Sequence, residues 1–247
     1  MSSDSNSNQF TPSQLSFRCE LLDWLAWAPE METKQQWKDW ALANQNVATK
    51  RSWPNIDAPL LASIEPSTTF LPLKLRKKLS GLTKISLWLA HHILSSNPQP
   101  GHISTVFASR HGESSFTVDL LNEICAALPL SPMAFSRSVH NTASGIFGIA
   151  QNNTASSTAI AAMHNTFEMG LLQAVSSLQF EERILYVMVD DSIPEDFAPY
   201  VNELWGKYGV ALLLGRSSGE GEILVKHCEG VPTAVATLTG IVLGEQC

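Results

Sequence analysis

The chain has 247 residues, 44% of them hydrophobic, and is long enough to bury one large core or two modest ones. Its formal net charge of −7 argues against nucleic-acid binding, because proteins that bind nucleic acid present a basic face. Its longest apolar runs are far shorter than the roughly 20 residues that span a bilayer, so no membrane attachment is expected.

The first residues are polar and have neither a positive n-region nor an apolar h-region, so they are not typical of a signal peptide. We expect residues 1–16 to be a disordered leader and residues 17–247 to form a single domain, since no linker or internal repeat interrupts them. The four cysteines are scattered without a metal-binding spacing. This pattern predicts reduced, largely buried thiols in a cytoplasmic protein, and no metal site.

Two pairs of tryptophans at i,i+3 spacing lie within residues 19–43, Trp24 with Trp27 and Trp37 with Trp40. That spacing puts each pair on one face of a helix, and Pro29 divides the segment into two short helices. Two interpretations stay open. The rings either anchor this segment to the body of the protein or form a surface for a partner.

Residues 71–94 have apolar side chains at helical spacing, which predicts a helix. The start of this segment carries a basic cluster, which is either a solvated helix face or a docking surface for an acidic protein. Residues 102–110 are β-branched and apolar, which predicts a buried strand, and an amphipathic helix follows from Ser114 or Ser115. The basic cluster consists of Lys74, Arg76, Lys77 and Lys78.

Further along the chain, residues 156–173 are nearly uncharged and predict a helix buried between layers. The pattern then predicts a buried strand over 183–191, a helix over 196–209, and strands over 210–215 and 222–227. Strands that are apolar along their whole length and alternate with helices predict an α/β fold. In such a fold, helices cover both faces of a mixed, mostly parallel sheet.

Three segments carry a resemblance to a known family: the strand ending in "VFASR", the helix that follows "HGE", and "SPMAFSRSVHN". Together they resemble the N-terminal half of β-ketoacyl synthases of the thiolase fold. The resemblance extends over residues 70–215, and "SRHGE" with "SPMAFSRSVHN" is its most specific part. In particular the chain resembles short synthase-like proteins of aryl-polyene and related fatty-acid-like synthesis systems, described as chain length factors that pair with a full synthase.

The nucleophile of that family is a cysteine in a T-A-C-x-S type motif at the start of a buried helix, where the helix dipole stabilises the thiolate. The matching residues here are 154–157, so the resemblance implies a degenerate nucleophile position at Ser156. Ser156 is alternatively the N-cap of the predicted helix. The family's two catalytic histidines belong to a C-terminal half whose motifs we do not find in this sequence. We therefore expect no catalytic residue and no cofactor.

The resemblance also implies which residues shape an acyl tunnel or a subunit interface. The loop of residues 110–113 would close the tunnel, unless Arg110 and Glu113 only form a local ion pair. His140 and Asn141 of "SVHN" would line the pocket or serve as packed structural residues. The apolar candidates would form a tunnel wall or belong to the core. The candidates are Arg110, His111, Gly112, Glu113, Met133, Phe135, His140, Asn141, Phe147 and Met163.

The leading hypothesis is a non-catalytic, chain-length-factor-like subunit that pairs with a full-length β-ketoacyl synthase in aryl-polyene, polyketide or fatty-acid-like biosynthesis. The basic cluster would then dock the acyl carrier protein. As half of a synthase, the chain would keep an apolar patch around its uncharged helix. Two alternatives stay open. One is a stand-alone acyl-thioester hydrolase or acyltransferase in which Ser156 acts with His140 or His164. The other is a homodimeric scaffold that binds acyl carrier protein.

Overall fold

The structure is a computed structural model that describes residues 16–44, 64–98, 101–201, 206–217, 219, 221–226 and 232–244. Its strands are β1 (Ser16–Arg18), β2 (Glu20–Trp27), β3 (Ser104–Ala108), β4 (Ser157–Ile160), β5 (Arg183–Asp190), β6 (Tyr208–Gly215) and β7 (Glu222–Leu224). Its α-helices are α1 (Lys34–Ala43), α2 (Leu73–Arg76), α3 (Gly81–Ser96), α4 (Ser114–Cys125), α5 (Pro132–Arg137), α6 (Thr142–Gln151), α7 (Thr166–Ser177) and α8 (Thr233–Val242). Short 3₁₀ helices cover Met163–Asn165 and Glu195–Tyr200.

The centre of the fold is a five-stranded sheet with the strand order β2-β6-β5-β3-β4. The pairs β5–β3 and β3–β4 are parallel, whereas β2–β6 and β6–β5 are antiparallel, so the sheet is mixed. Strands β1 and β7 form a separate antiparallel ribbon. The predicted α/β class is confirmed, but the central sheet of the described residues has two parallel and two antiparallel pairs and is not mostly parallel.

Helices cover both faces of this sheet, which explains why β6 is buried along its whole length and β5 along nearly all of it. On one face, α3 and α6 pack over side chains such as Leu185 and Leu213. On the other face, α7 and α8 pack over side chains such as Tyr186 and Leu212. The predicted strands over 102–110 and 183–191, and the helix from Ser114, are confirmed.

The first tryptophan pair lies on a strand and not on a helix. β2 pairs antiparallel with β6 over its length, and that ladder decides the local structure against the i,i+3 spacing. Trp24 and Trp27 therefore face opposite sides of the sheet. The second pair does lie on a helix, α1, where Trp37 and Trp40 make an edge-to-face contact with centroids 6.1 Å apart.

The predicted helix over residues 156–173 is also wrong in its first part. Residues 157–160 form β4, which pairs in parallel with β3, and α7 begins only at Thr166. The side chains of β4 are small and partly polar, and they do not show the apolar–polar alternation that would predict a strand. The pattern is absent because this strand is short and lies at an edge of the sheet.

Other differences lie toward the ends of the chain. The predicted helix over 196–209 is a 3₁₀ helix at Glu195–Tyr200, and β6 already begins at Tyr208. The mostly apolar segment after residue 232 forms α8. The predicted leader falls outside the described residues except for Ser16, which begins β1. No helix among the described residues has the length and apolar character needed to cross a membrane.

The helix α7, which has Glu168 as its one formally charged residue, is covered by segments near both ends of the chain. Phe167, Leu171 and Ala174 are fully buried in a cluster that includes Phe17 of β1 and Val235 of α8. α8 also packs against α1. The expected apolar patch is therefore not found at these three side chains, because the chain supplies its own cover.

Candidate functional site

The loop at residues 109–113 leaves β3 at the carboxyl end of the sheet, where open α/β sheets place their binding sites. Asp190, the last residue of β5, fixes its first turn. One carboxylate oxygen, Oδ1, accepts hydrogen bonds from the backbone N–H of Arg110 at 2.7 Å and from Oγ of Ser109 at 3.1 Å. The other oxygen accepts one from the Tyr208 hydroxyl at 3.0 Å. Burial and the neighbouring Asp190 raise the pKa of Tyr208 well above its ordinary value, so this hydroxyl stays a donor.

The loop brings a guanidinium and two imidazoles together. Arg110 Nη2 lies 3.2 Å from Nδ1 of His164. Since a guanidinium only donates, Nδ1 of His164 is the acceptor of this hydrogen bond. Burial lowers the pKa of His111; Asp190 works against this shift, while Arg110 and His164 add to it. His111 is therefore a neutral imidazole at pH 7.

Gly112 is in the left-handed region at φ +57°, and a Cβ there would lie only 2.5 Å from Nδ1 of His140. His140 Nε2 in turn donates to the Ile160 carbonyl at 3.0 Å. His140 therefore packs on the loop and ties it to the end of β4. The position requires glycine for both its backbone conformation and this close contact.

Glu113 binds Ser80 and Thr83 of the scaffold and does not form the local ion pair with Arg110 considered above. Its carboxylate is buried and accepts hydrogen bonds from the hydroxyls of Ser80, at 2.9 Å, and Thr83. Burial raises the pKa of Glu113 above its ordinary value, and these two hydrogen bonds offset the rise only in part. Glu113 thus anchors the end of the loop to the first turn of α3.

The apolar candidates separate into exposed and buried side chains. Met133, Phe135 and Met163 are largely exposed. Phe147 is buried and packs against Phe107 with ring centroids 5.6 Å apart. Phe147 is therefore packed in the core, which favours the core interpretation of this residue over the tunnel wall. Asn141 is exposed and precedes α6 without a side-chain cap.

Ser156 is at the opposite end of the sheet from the loop. It precedes β4, and its carbonyl accepts the backbone N–H of Thr105 at 2.9 Å, so it is not the N-cap of a helix. It lines a small cavity of about 150 Å³ at the amino ends of β3 and β4. The contact of His140 with Ile160 lies four residues along β4, roughly 13 Å away at about 3.3 Å per residue. The structure thus does not bring Ser156 and His140 together.

The junction between β4 and the buried helix α7 was missed from the sequence. Met163 occupies it with φ +52°, a left-handed conformation that costs energy for a residue with a side chain. Its side chain is 66% exposed. The signal that could have revealed the junction is the pair of alanines at 161 and 162 between an apolar stretch and the helix.

The predicted basic cluster lies on and just after α2, beside α5. Arg137 of α5 donates to the Lys78 carbonyl at 3.2 Å, and Lys78 Nζ lies 3.3 Å from the sulfur of Met133. Lys74 and Lys77 are exposed, whereas Arg76 is half-buried. The cluster therefore borders the exposed apolar side chains of α5.

An apolar face runs along α4, α5 and their connection. Leu120 is the buried residue of α4, and α5 has none. Large apolar side chains that are each 46% exposed or more follow one another on this surface. We call them the α4–α5 face: Leu121, Ile124, Leu128, Leu130, Met133 and Phe135. Monomeric proteins seldom leave such a patch open.

The two edges of the sheet differ. At β2, a bulge between Leu21 and Asp23 interrupts the register, and the Asp23 carboxylate accepts the backbone N–H of Trp24 at 2.8 Å. Lys34 and Asn97 also bind that carboxylate. Bulges and inward charges of this kind block strand pairing. At the other edge, no strand in the described part of the chain pairs with the outer side of β4.

The comparisons with known proteins agree with this architecture. A family model described as "Beta-ketoacyl synthase, N-terminal domain" matches residues 37–236. The chain therefore belongs to the β-ketoacyl synthase family, and the resemblance seen in its sequence is confirmed. A search of curated proteins finds no match.

Among solved structures, the chain is similar to the ketosynthase ApeO in complex with its chain length factor ApeC from Xenorhabdus doucetiae. The TM-score is 0.75 and the identity 24%, with 92% of each chain covered. The ishigamide ketosynthase/chain length factor gives a TM-score of 0.61 at 14% identity, covering 84% of this chain and 65% of that one. A type II polyketide ketosynthase complex with its acyl carrier protein, AntDE:AntF, gives 0.60 at 10%, covering 82% and 64%. These likenesses show the thiolase-like ketosynthase fold.

Proposed function

We propose that this chain is a non-catalytic, chain-length-factor-like subunit that pairs with a full-length β-ketoacyl synthase and shapes its acyl tunnel. The synthase would act in aryl-polyene or fatty-acid-like biosynthesis. The observation that carries the proposal is the open edge of β4, beside exposed apolar residues. Two of the similar structures are described as ketosynthases with chain length factors, which supports a partner of this kind.

The geometry of β4 explains why this edge suits a partner strand. The carbonyls of Ser156 and Ile160 accept hydrogen bonds from β3, so in a parallel ladder the backbone groups of Ser157 and Ala159 point to the outer side. No bulge or charged side chain lies within β4. Met163 follows the strand, and His140 links its end to the segment that follows the α4–α5 face. A partner that adds a strand here would also cover apolar surface.

The absence of a catalytic role rests on the junction after β4. The resembled family places its nucleophile where a strand leads into the buried helix, and β4 and α7 have this order around Met163. We infer that this junction, and not Ser156, corresponds to the nucleophile position. A thioether has no proton to lose and forms no acyl-enzyme, unlike a thiolate or an activated hydroxyl.

The 109–113 loop would close the acyl tunnel of the assembled pair. Arg110 and His111 are its bulky side chains, and Gly112 with His140 holds the loop against the end of β4. The loop lies next to the carboxyl end of β4, where His140 binds the Ile160 carbonyl. An acyl chain entering from the partner would therefore meet these two side chains.

The basic cluster would serve as a docking surface for acyl carrier protein. Lys74, Lys77, Lys78 and Arg137 lie together next to exposed Met133, which combines positive charge with an apolar contact. One similar structure is described as a ketosynthase in complex with its acyl carrier protein, which supports this proposal.

The test is the mass in solution of the chain, expressed alone and with the β-ketoacyl synthase encoded nearest to it. We expect a 1:1 heterodimer. Ala159→Pro removes an outward N–H without breaking the ladder to β3, so this variant should lose the heterodimer. Ala159→Val keeps the N–H and is the matched control. A chain that never binds the synthase would contradict the proposal, and a stable homodimer would favour the carrier-protein scaffold instead.

A further inference from the structure

The 109–113 loop is held at both ends by buried carboxylates. Asp190 and Glu113 are each only 4% exposed. Asp190 binds the start of the loop, and Glu113 binds Ser80 and Thr83 of the α3 N-terminus. The loop that would close the tunnel is thus tied to the scaffold at its first and last residues.

Asp190 connects the ends of three adjacent strands. It ends β5, it pairs in register with Tyr208 at the start of β6, and it receives the two hydrogen bonds from Ser109 and Arg110 after β3. The strand ends are therefore joined through one carboxylate. Its two oxygens have different partners: Oδ1 accepts the hydrogen bonds from the loop, and Oδ2 accepts the hydrogen bond from Tyr208.

Ser109 extends this connection into the loop. Its hydroxyl donates to Asp190 and at the same time accepts the backbone N–H of Gly112 at 2.9 Å. The chain of hydrogen bonds runs from Gly112 through Ser109 to Asp190, and every donor points toward the carboxylate. Arg110 and His111 lie between these fixed points.

Moving the loop would break several bonds at once. A buried polar group that loses its hydrogen-bond partners costs about 1–3 kcal/mol, and both of these carboxyl groups are buried. The 109–113 loop is for this reason a fixed stop and not a mobile gate. The position of Arg110 and His111 along the tunnel then depends on Asp190.

We propose that Asp190 is a positioning residue for product length: it fixes the 109–113 loop so that Arg110 and His111 stop the growing acyl chain at one depth. This inference rests on the proposed function of the chain as a tunnel-shaping subunit. Asp190 itself does not contact the acyl chain. It acts through Ser109 and the backbone of Arg110.

The experiment compares the products of the synthase heterodimer carrying variants of this chain, separated by length with mass spectrometry. We expect Asp190→Ala to raise the fraction of over-length product at least about tenfold, since it removes both buried hydrogen bonds that hold the start of the loop. Ser109→Ala is a smaller change that removes the hydroxyl linking Gly112 to Asp190. It should shift the distribution of product lengths in the same direction. It keeps the test valid if Asp190→Ala fails to fold.

Tyr208→Phe is the matched control, because it removes the bond to the other oxygen of Asp190 and leaves the loop bonds in place. We expect it to lower stability without changing product length. An equal shift in product length with Tyr208→Phe would overturn the inference, since the effect would then follow stability. So would an unchanged distribution in both alanine variants.

The variants Arg110→Ala and His111→Ala separate this inference from the proposed function. If they change product length while Asp190→Ala and Ser109→Ala do not, the loop measures the chain but Asp190 does not position it. If they leave product length unchanged in an intact heterodimer, the tunnel role itself is wrong.

Discussion

Gly170 in α7 is a position where a single methyl group should destabilise the fold. A Cβ there would lie 2.7 Å from Cε2 and the hydroxyl oxygen of Tyr186. The ring cannot yield, because it is fully buried in β5 and its hydroxyl donates to the Phe167 carbonyl at 2.8 Å. Gly→Ala in a helix interior gains about 1 kcal/mol, but overpacking costs about 1–3 kcal/mol and disturbing that hydrogen bond about 1 more. We expect Gly170→Ala to lower the free energy of unfolding by about 1–3 kcal/mol.

Gly145 in α6 is the matched control. A Cβ there meets nothing within 4 Å, so Gly145→Ala should keep the helical gain and raise stability by up to about 1 kcal/mol. Urea unfolding of the isolated chain, with the slope unchanged, measures both values. If Gly170→Ala stabilises the protein as Gly145→Ala does, the close packing of α7 on Tyr186 is refuted.

Two further predictions concern buried titratable groups. Because burial raises the pKa of Glu113 above 4.5, its ordinary value, the folded state holds this proton more tightly than the unfolded chain. Its contribution to stability therefore falls as the pH rises from about 4.5 through the raised pKa. In urea unfolding across this range, the free energy of unfolding of Glu113→Gln should depend less on pH than that of the unchanged protein. Burial also raises the pKa of the Cys19 thiol to about 12, whereas Cys125 is exposed. Iodoacetamide at pH 8 should alkylate Cys125 and spare Cys19 in the native protein; peptide mass mapping that finds both labelled would contradict this.

The elements that could be predicted from the sequence are those whose side chains face one environment throughout. β5 and the helix α4 have clear patterns, one apolar along nearly its whole length and the other amphipathic. β4 and β2 could not be predicted in this way. β4 is short and mixes Ser, Thr, Ala and Ile, and the tryptophans of β2 fall at a spacing that suits a helix; in both cases pairing with a neighbouring strand decided the structure.

Because strand pairing cannot be predicted from the local sequence pattern, only part of the site could be predicted. The 109–113 loop could be predicted, because it follows a strand that the sequence reveals. Its partners could not: Asp190 is 80 residues away along the chain from Arg110, and only the parallel pairing of β3 with β5 brings them together. Ser156 was misplaced for a related reason, since its role depended on a helix where β4 stands.

The surfaces that this chain already buries favour association with a partner at one edge of the sheet. The outer side of α7 is filled by β1, β7 and α8, with α1 behind α8, so a partner there would have to displace buried residues such as Leu171. The edge at β2 is blocked by its bulge and by Asp23. At the other edge, no strand of the described residues pairs with the outer side of β4, and Met163, which follows that strand, is exposed. The proposed association through β4 therefore needs no buried residue to be displaced, and it would extend the sheet next to the loop that would meet the acyl chain.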